Sequence, residues 1–132
     1  MAPTFNAIGL AVADMATSLA FYRELGLDLP AELDKEPHAE AELPGGIRLM
    51  FDTHDMLRSI DPDWRPPTGE GASLAFLCAD AAEVDAVHAG MVRAGYRSHK
   101  DPWDAEWGQR YAVLTDPDGN GVDLFAWLTK PA

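Results

Sequence analysis

Residues 5–27 read FNAIGLAVADMATSLAFYRELGL. Ile8, Leu10 and Val12 alternate with the small residues Ala7, Gly9 and Ala11, which is the pattern of a strand with one face on a core. Asp14 then stands where a helix N-cap belongs. Met15, Leu19, Tyr22 and Leu25 follow at helical spacing, and Gly26 closes the helix. A second copy of this plan begins at Ala72. There Leu74, Phe76 and Cys78 alternate with Ser73, Ala75 and Leu77, and Asp80 with Glu83 forms a capping-box pattern. Val84, Val87, His88 and Met91 make the helical face, and Gly95 ends it. The two caps lie half a chain length apart, as a duplicated module predicts.

Outward from these two stretches, each helix leads into strand-like segments. The first half offers about 28–33, 38–43 and 47–52, with Pro44-Gly45-Gly46 as a turn. The second offers 110–115 and 122–127 around the turn Asp116-Pro117-Asp118-Gly119-Asn120-Gly121. The stretch from Asp52 to Gly71 is rich in Pro, Asp and Gly and reads as a linker or a lid. One domain over 1–132 is therefore expected, with module one at about 1–56, a connector or lid at 57–70, and module two at 71–132.

The whole-chain numbers bound what such a domain does. With 132 residues and a hydrophobic fraction of 47%, the chain has enough apolar material for one packed core. Its 22 acidic residues against 10 basic ones leave a formal net charge of −12. That field repels a phosphate backbone, so nucleic acid is not expected as a partner. A single cysteine, Cys78, forms no internal disulfide. The opening MAPTFNAIGL lacks a basic n-region and no apolar run is long enough to span a bilayer, so neither a signal peptide nor a membrane partner is expected. A cytoplasmic location is the default.

Several stretches together resemble a known family. Val12-Ala13-Asp14, Phe21-Tyr22 and Leu25-Gly26-Leu27 are similar to the opening of vicinal oxygen chelate modules. Gly108, Tyr111 and Asp116-Pro117-Asp118-Gly119-Asn120 resemble their closing hairpin. The resemblance covers Phe5 to about Leu128 and points to the glyoxalase/bleomycin resistance group. It implies an α+β fold of two βαβββ modules, a curved mixed sheet forming a cup, helices outside, and a homodimer. The family holds metal enzymes, and also metal-free proteins that sequester antibiotics.

In its metal enzymes, the resemblance implies one His, Gln or Glu ligand from each of four strands. Those positions fall here on Ala7, Met50, Ser73 and Asp123. Only Asp123 is a fitting donor, and one carboxylate does not hold a divalent ion in water. The histidines do not replace the set: His88 falls on a helix, His38 on an outer strand, His99 at a strand start and His54 near the lid. No metal and no other cofactor is therefore expected.

Alternation assigns the cup face instead. Ala7, Gly9, Ala11, Ser73 and Ala75 form a small-residue floor. Met50, Tyr111, Phe125 and Trp127 form walls, Trp103 and Trp107 stand in the loop before the Tyr111 strand, and Trp64 stands in the lid. Arg48, Ser73, Gln109 and Asp123 supply polar groups, with Arg48 and Asp123 able to pair. Such a slot suits a flat conjugated ligand. The expected binding residues are Ala7, Gly9, Met50, Trp64, Ser73, Trp103, Trp107, Tyr111, Asp123 and Phe125, with no catalytic residue. The reading leans away from catalysis, toward metal-independent sequestration of an aromatic antibiotic or natural product. The alternatives are a lyase, isomerase or dioxygenase of the same fold, with Asp123 and Tyr111 as acid and base, and a regulatory module. A Ser-His-Asp set is left open, without a nucleophile-elbow motif.

Overall fold

The computed structural model describes residues 2–69 and 71–128. The chain forms two compact units, 1–67 and 68–132, each with its own sheet. In the first, β1 (Ala7–Val12) leads through α1 (Met15–Glu24) to β2 (His38–Glu42) and β3 (Arg48–Thr53), and α2 (His54–Ile60) follows. The sheet order is β1-β3-β2, with β1 parallel and β2 antiparallel to β3. The second unit runs β4 (Ser73–Leu77), α3 (Ala81–Arg93), β5 (Arg97–Ala105), β6 (Gln109–Thr115) and β7 (Gly121–Trp127). Its order is β4-β7-β6-β5, and only the β4–β7 pair is parallel. The fold is thus α+β with two mixed sheets, and each unit carries a strand–helix crossover between parallel strands.

The caps do what their residue types dictate. Asp14 accepts from the Thr17 amide at 2.9 Å and Asp80 from the Glu83 amide at 2.8 Å. Glu83 reaches back to the amide of Ala79 at 3.0 Å, one residue before the cap. Leu10, Val12, Leu49 and Phe51 bury one face of the first sheet, where α1 sets Tyr22 5.3 Å from the Phe51 ring. Val84, His88 and Met91 of α3 are buried, as are Ala112, Leu114, Val122 and Leu124 of the strands it packs on. The inward faces are therefore the ones that alternation assigned.

Two expectations need correction, at residues 28–33 and at Trp103. Residues 28–33 are not a strand: Ala31–Lys35 is a 3-10 turn entered at Pro30. The Arg23 guanidinium takes the carbonyls of Leu29 and Pro30 and the Asp34 carboxylate, so this backbone bonds to a side chain and not to a neighbouring strand. The stretch read as a linker or a lid begins with α2, which the Thr53 hydroxyl caps by accepting from the Met56 amide. Trp103 is not in a loop. It lies on the nine-residue β5, directly opposite Tyr111, and only Trp107 stands in the turn.

The closing turn ties the second sheet together. Asp116 accepts from the amides of Asp118 and Asn120 at 2.8 and 2.9 Å, and Asn120 in turn accepts from the Ala72 amide at 2.9 Å. Asn120 lies so near Gly71 that a Cβ there would stand 2.3 Å from its Oδ1. Among the described residues, no helix is long and apolar enough to cross a membrane.

Candidate ligand-binding face

Directly opposed residues on neighbouring strands share a face of a sheet. In the second unit, Leu77, Phe125, Tyr111 and Trp103 form one row across all four strands. Ala75, Asp123, Val113 and Lys100 form the next. This face lies opposite the one buried under α3.

The rings on it make a continuous cluster. Tyr111 stacks on Phe125 at 6.2 Å between centroids and 28° between planes. Trp103 and Trp107 meet the Tyr111 ring edge-on at 5.5 and 5.4 Å, and lie 6.0 Å from each other. Trp127 stands perpendicular to Phe125 at 6.2 Å. These are the offset and edge-to-face arrangements that aromatic quadrupoles favour. Trp107 remains 54% exposed, Trp127 46% and Leu77 64%, so the cluster is open apolar surface and not a filled core.

Polar groups are few and fixed. The Tyr111 hydroxyl donates to Asp123 Oδ2 in a short bond. Burial first, and then this bond to a carboxylate, push the Tyr111 phenol up to about 12, so it stays protonated and neutral. The Trp107 indole N–H donates to Gln109 Oε1 at 2.8 Å. Lys100 Nζ lies 3.9 Å from the centroid of Trp103. Lys100 was not legible in the sequence, because its register depends on irregularities in β5 on either side of it.

Of the residues expected to line a site, Ser73, Trp103, Trp107, Tyr111, Asp123 and Phe125 belong to this unit. The last five are joined by contacts, and Ser73 lies on the same face at the end strand β4. Trp127, a wall in the sequence reading, joins them. Ala7, Gly9 and Met50 lie on the corresponding face of the first unit, where Met50 stands opposite Gly9. That face is polar. Arg48 donates to Glu40 and to Asn6 at 2.7 Å each, and His38 bridges Asp52 at 2.7 Å and Glu40 at 2.9 Å. Arg48 and Asp123 each have hydrogen-bond partners within their own unit. Trp64 packs on α2, with its ring 5.1 Å from His54 and beneath the Arg58 guanidinium.

The four positions that the resemblance assigns to a metal do not fit one. Ala7 has no donor, Met50 and Ser73 offer only a thioether and a neutral hydroxyl, and Asp123 already accepts a hydrogen bond from the Tyr111 hydroxyl. Among the described residues, no group of three His, Cys, Asp or Glu side chains is placed to hold a metal ion. On the helix side of the unit, His88 Nε2 lies 2.8 Å from Ser98 Oγ beside a groove of about 560 Å³. Ser98 donates to Asp101 Oδ1 at 3.0 Å, and that oxygen lies 3.7 Å from the same Nε2, so the carboxylate stands on the hydroxyl's side of the imidazole and not behind it. That is the wrong order for a nucleophilic triad.

Comparison with known proteins bears on the family and the fold. Residues 4–124 match the model of the Glyoxalase/Bleomycin resistance protein/Dioxygenase superfamily. A glyoxalase/bleomycin resistance protein/dioxygenase from Nocardioides is similar at 25% identity and a TM-score of 0.76, covering 100% of this chain and 89% of that one. A family enzyme from Burkholderia phytofirmans PsJN has a TM-score of 0.82 at 19% identity, over 96% of this chain and 100% of its own. A lactoylglutathione lyase from Agrobacterium tumefaciens has a TM-score of 0.68 at 20% identity, over 93% and 92%. At those last two identities the likeness is one of fold. Among proteins of curated function, none matches.

Proposed function

The chain belongs to the Glyoxalase/Bleomycin resistance protein/Dioxygenase superfamily, and from that premise we propose that it binds a planar aromatic small molecule, an antibiotic or related natural product, and sequesters it without a metal and without altering it. The observation that carries this reading is the open ring cluster of Trp103, Trp107, Tyr111, Phe125 and Trp127 on one sheet face. A flat conjugated ligand laid on these rings removes two apolar surfaces from water and gains stacking of about 0.5–1.5 kcal/mol per ring pair. Asp123 and Gln109 then fix its orientation. The misfit of Ala7, Met50 and Ser73 to a metal supports binding over the metal-assisted reactions of the superfamily. The raised phenol of Tyr111 supports it too, since a hydroxyl held neutral is a poor proton acceptor at neutral pH.

The test is a thermal-shift screen against planar aromatic antibiotics, run in EDTA and again with added zinc or nickel. A binder is expected to raise Tm by several degrees equally in both conditions. Tyr111→Ala, which removes the ring at the centre of the cluster, should weaken binding by about tenfold. The compound recovered after incubation should have an unchanged mass. Stabilisation that appears only with metal, or a chemically altered compound, would replace sequestration with catalysis.

A further inference from the structure

We infer that the ligand of the aromatic face is an organic cation, and that the Lys100 ammonium is the chain's own occupant of the place that charge fills. The inference rests on the aromatic-face reading and adds the sign of the ligand's charge and a residue that sets it.

Lys100 lies in a chain with 22 acidic residues, yet among the described residues its ammonium makes no ion pair and no hydrogen bond. It sits instead over the Trp103 indole at 3.9 Å. A cation over a tryptophan face is drawn by the ring quadrupole, and tryptophan is the strongest of the three aromatic side chains in this respect. Trp103 does not stand alone, because Tyr111 and Trp107 abut it and Tyr111 stacks on Phe125. The same electron-rich faces that stack a flat ligand therefore favour one carrying positive charge.

The second element is Asp123. It stands in the row Asp123–Val113–Lys100, two strand spacings from Lys100, or about 10 Å. Tyr111 donates to Oδ2 and keeps its own proton, so the pair retains one negative charge, and Oδ1 accepts no bond among the described residues. A planar cation lying along the rings meets Trp103 at one end, where the lysine now sits, and the carboxylate at the other. A neutral ligand gains at most a hydrogen bond at Asp123, without the attraction between opposite charges, and an anionic one is repelled by it. Lys100 is thus a specificity-determining side chain: it competes with a cation for Trp103 and would reward an anion.

The test is calorimetric titration of three compounds that share the acridine ring: proflavine (cationic at pH 7.5), acridine (neutral) and 9-acridinecarboxylate (anionic). It is run in about 0.15 M salt, where non-specific attraction to the net charge is largely screened. Wild type should prefer proflavine to acridine by about tenfold. Lys100→Gln should tighten proflavine a further two- to fivefold and weaken 9-acridinecarboxylate. Asp123→Asn keeps the acceptor for Tyr111 and changes the net charge by only one in twelve, yet should bring proflavine down to the affinity of acridine. If acridine binds wild type as tightly as proflavine, or if proflavine does not respond to Lys100→Gln, the cation inference is wrong while the aromatic reading stands. If none of the three binds, both fall together.

Discussion

His38 presents each ring nitrogen to a carboxylate, Nδ1 to Asp52 and Nε2 to Glu40. A neutral imidazole has only one N–H, so both contacts are hydrogen bonds only while the ring is doubly protonated. The bonds to Glu40 and then Asp52 raise its titration above the ordinary 6.5, against partial desolvation. A folded value above the unfolded one means this group stabilises the protein fully below about pH 6.5 and loses that contribution as pH rises through the raised value. The contribution is modest, because the side chain is 39% exposed. Urea midpoints measured from pH 5 to 9 should fall across that window in wild type relative to His38→Gln. Parallel curves for the two proteins would show that the bridge is energetically silent. The sequence placed His38 on an outer strand but carried no sign of this bridge, since its three residues come from two strands whose register was not visible. Asp123 and Tyr111 are the opposite case: strand alternation put both on one face, and the structure brings them into contact.

At the scale of elements, the parts that local chemistry specifies were legible. Asp14 and Asp80 are caps because a carboxylate at that position satisfies an amide the helix leaves unpaired, and residue order reveals it. β5 was not legible. Its run Arg97-Ser98-His99-Lys100-Asp101-Pro102 has no apolar alternation, and a proline is tolerated only because β5 is an end strand with irregular register. α2 is seven residues long, too short for a periodicity to emerge, and its Thr53 cap is the one local signal. The turn that closes the second sheet was read as a turn, but its link to the start of β4 was not, because Gly71 and Asn120 are far apart in sequence. This link yields a sharp expectation. Gly71→Ala sets a methyl against Asn120 Oδ1, which is nearly buried and holds the Ala72 amide. Displacing that oxygen leaves a part-buried amide unpaired and disturbs the nearly buried Asn120, so the variant should lose about 1–3 kcal/mol in chemical denaturation. A loss below about 0.5 kcal/mol would mean that the turn shifts freely and does not anchor β4.

At the scale of the whole molecule, two units carry the same strand–helix plan with different chemistry on the sheet face opposite the helix. The first is polar, crossed by Asn6, Arg48, Glu40, His38 and Asp52; the second is aromatic. The side chains of alternate positions, free of the core, explain how one scaffold carries two chemistries. The measurement that bears most directly on the proposed binding face is the indole N–H region of a ¹⁵N spectrum during titration with acridine. The chain has four tryptophans, so each indole is a separate reporter, and even weak binding moves the resonances. Trp103, Trp107 and Trp127 should shift together along one saturating curve, and Tyr111→Ala should move that curve to higher concentration. Three unmoved indoles at a saturating ligand concentration, whatever Trp64 does, would contradict the assignment of the binding site to this face.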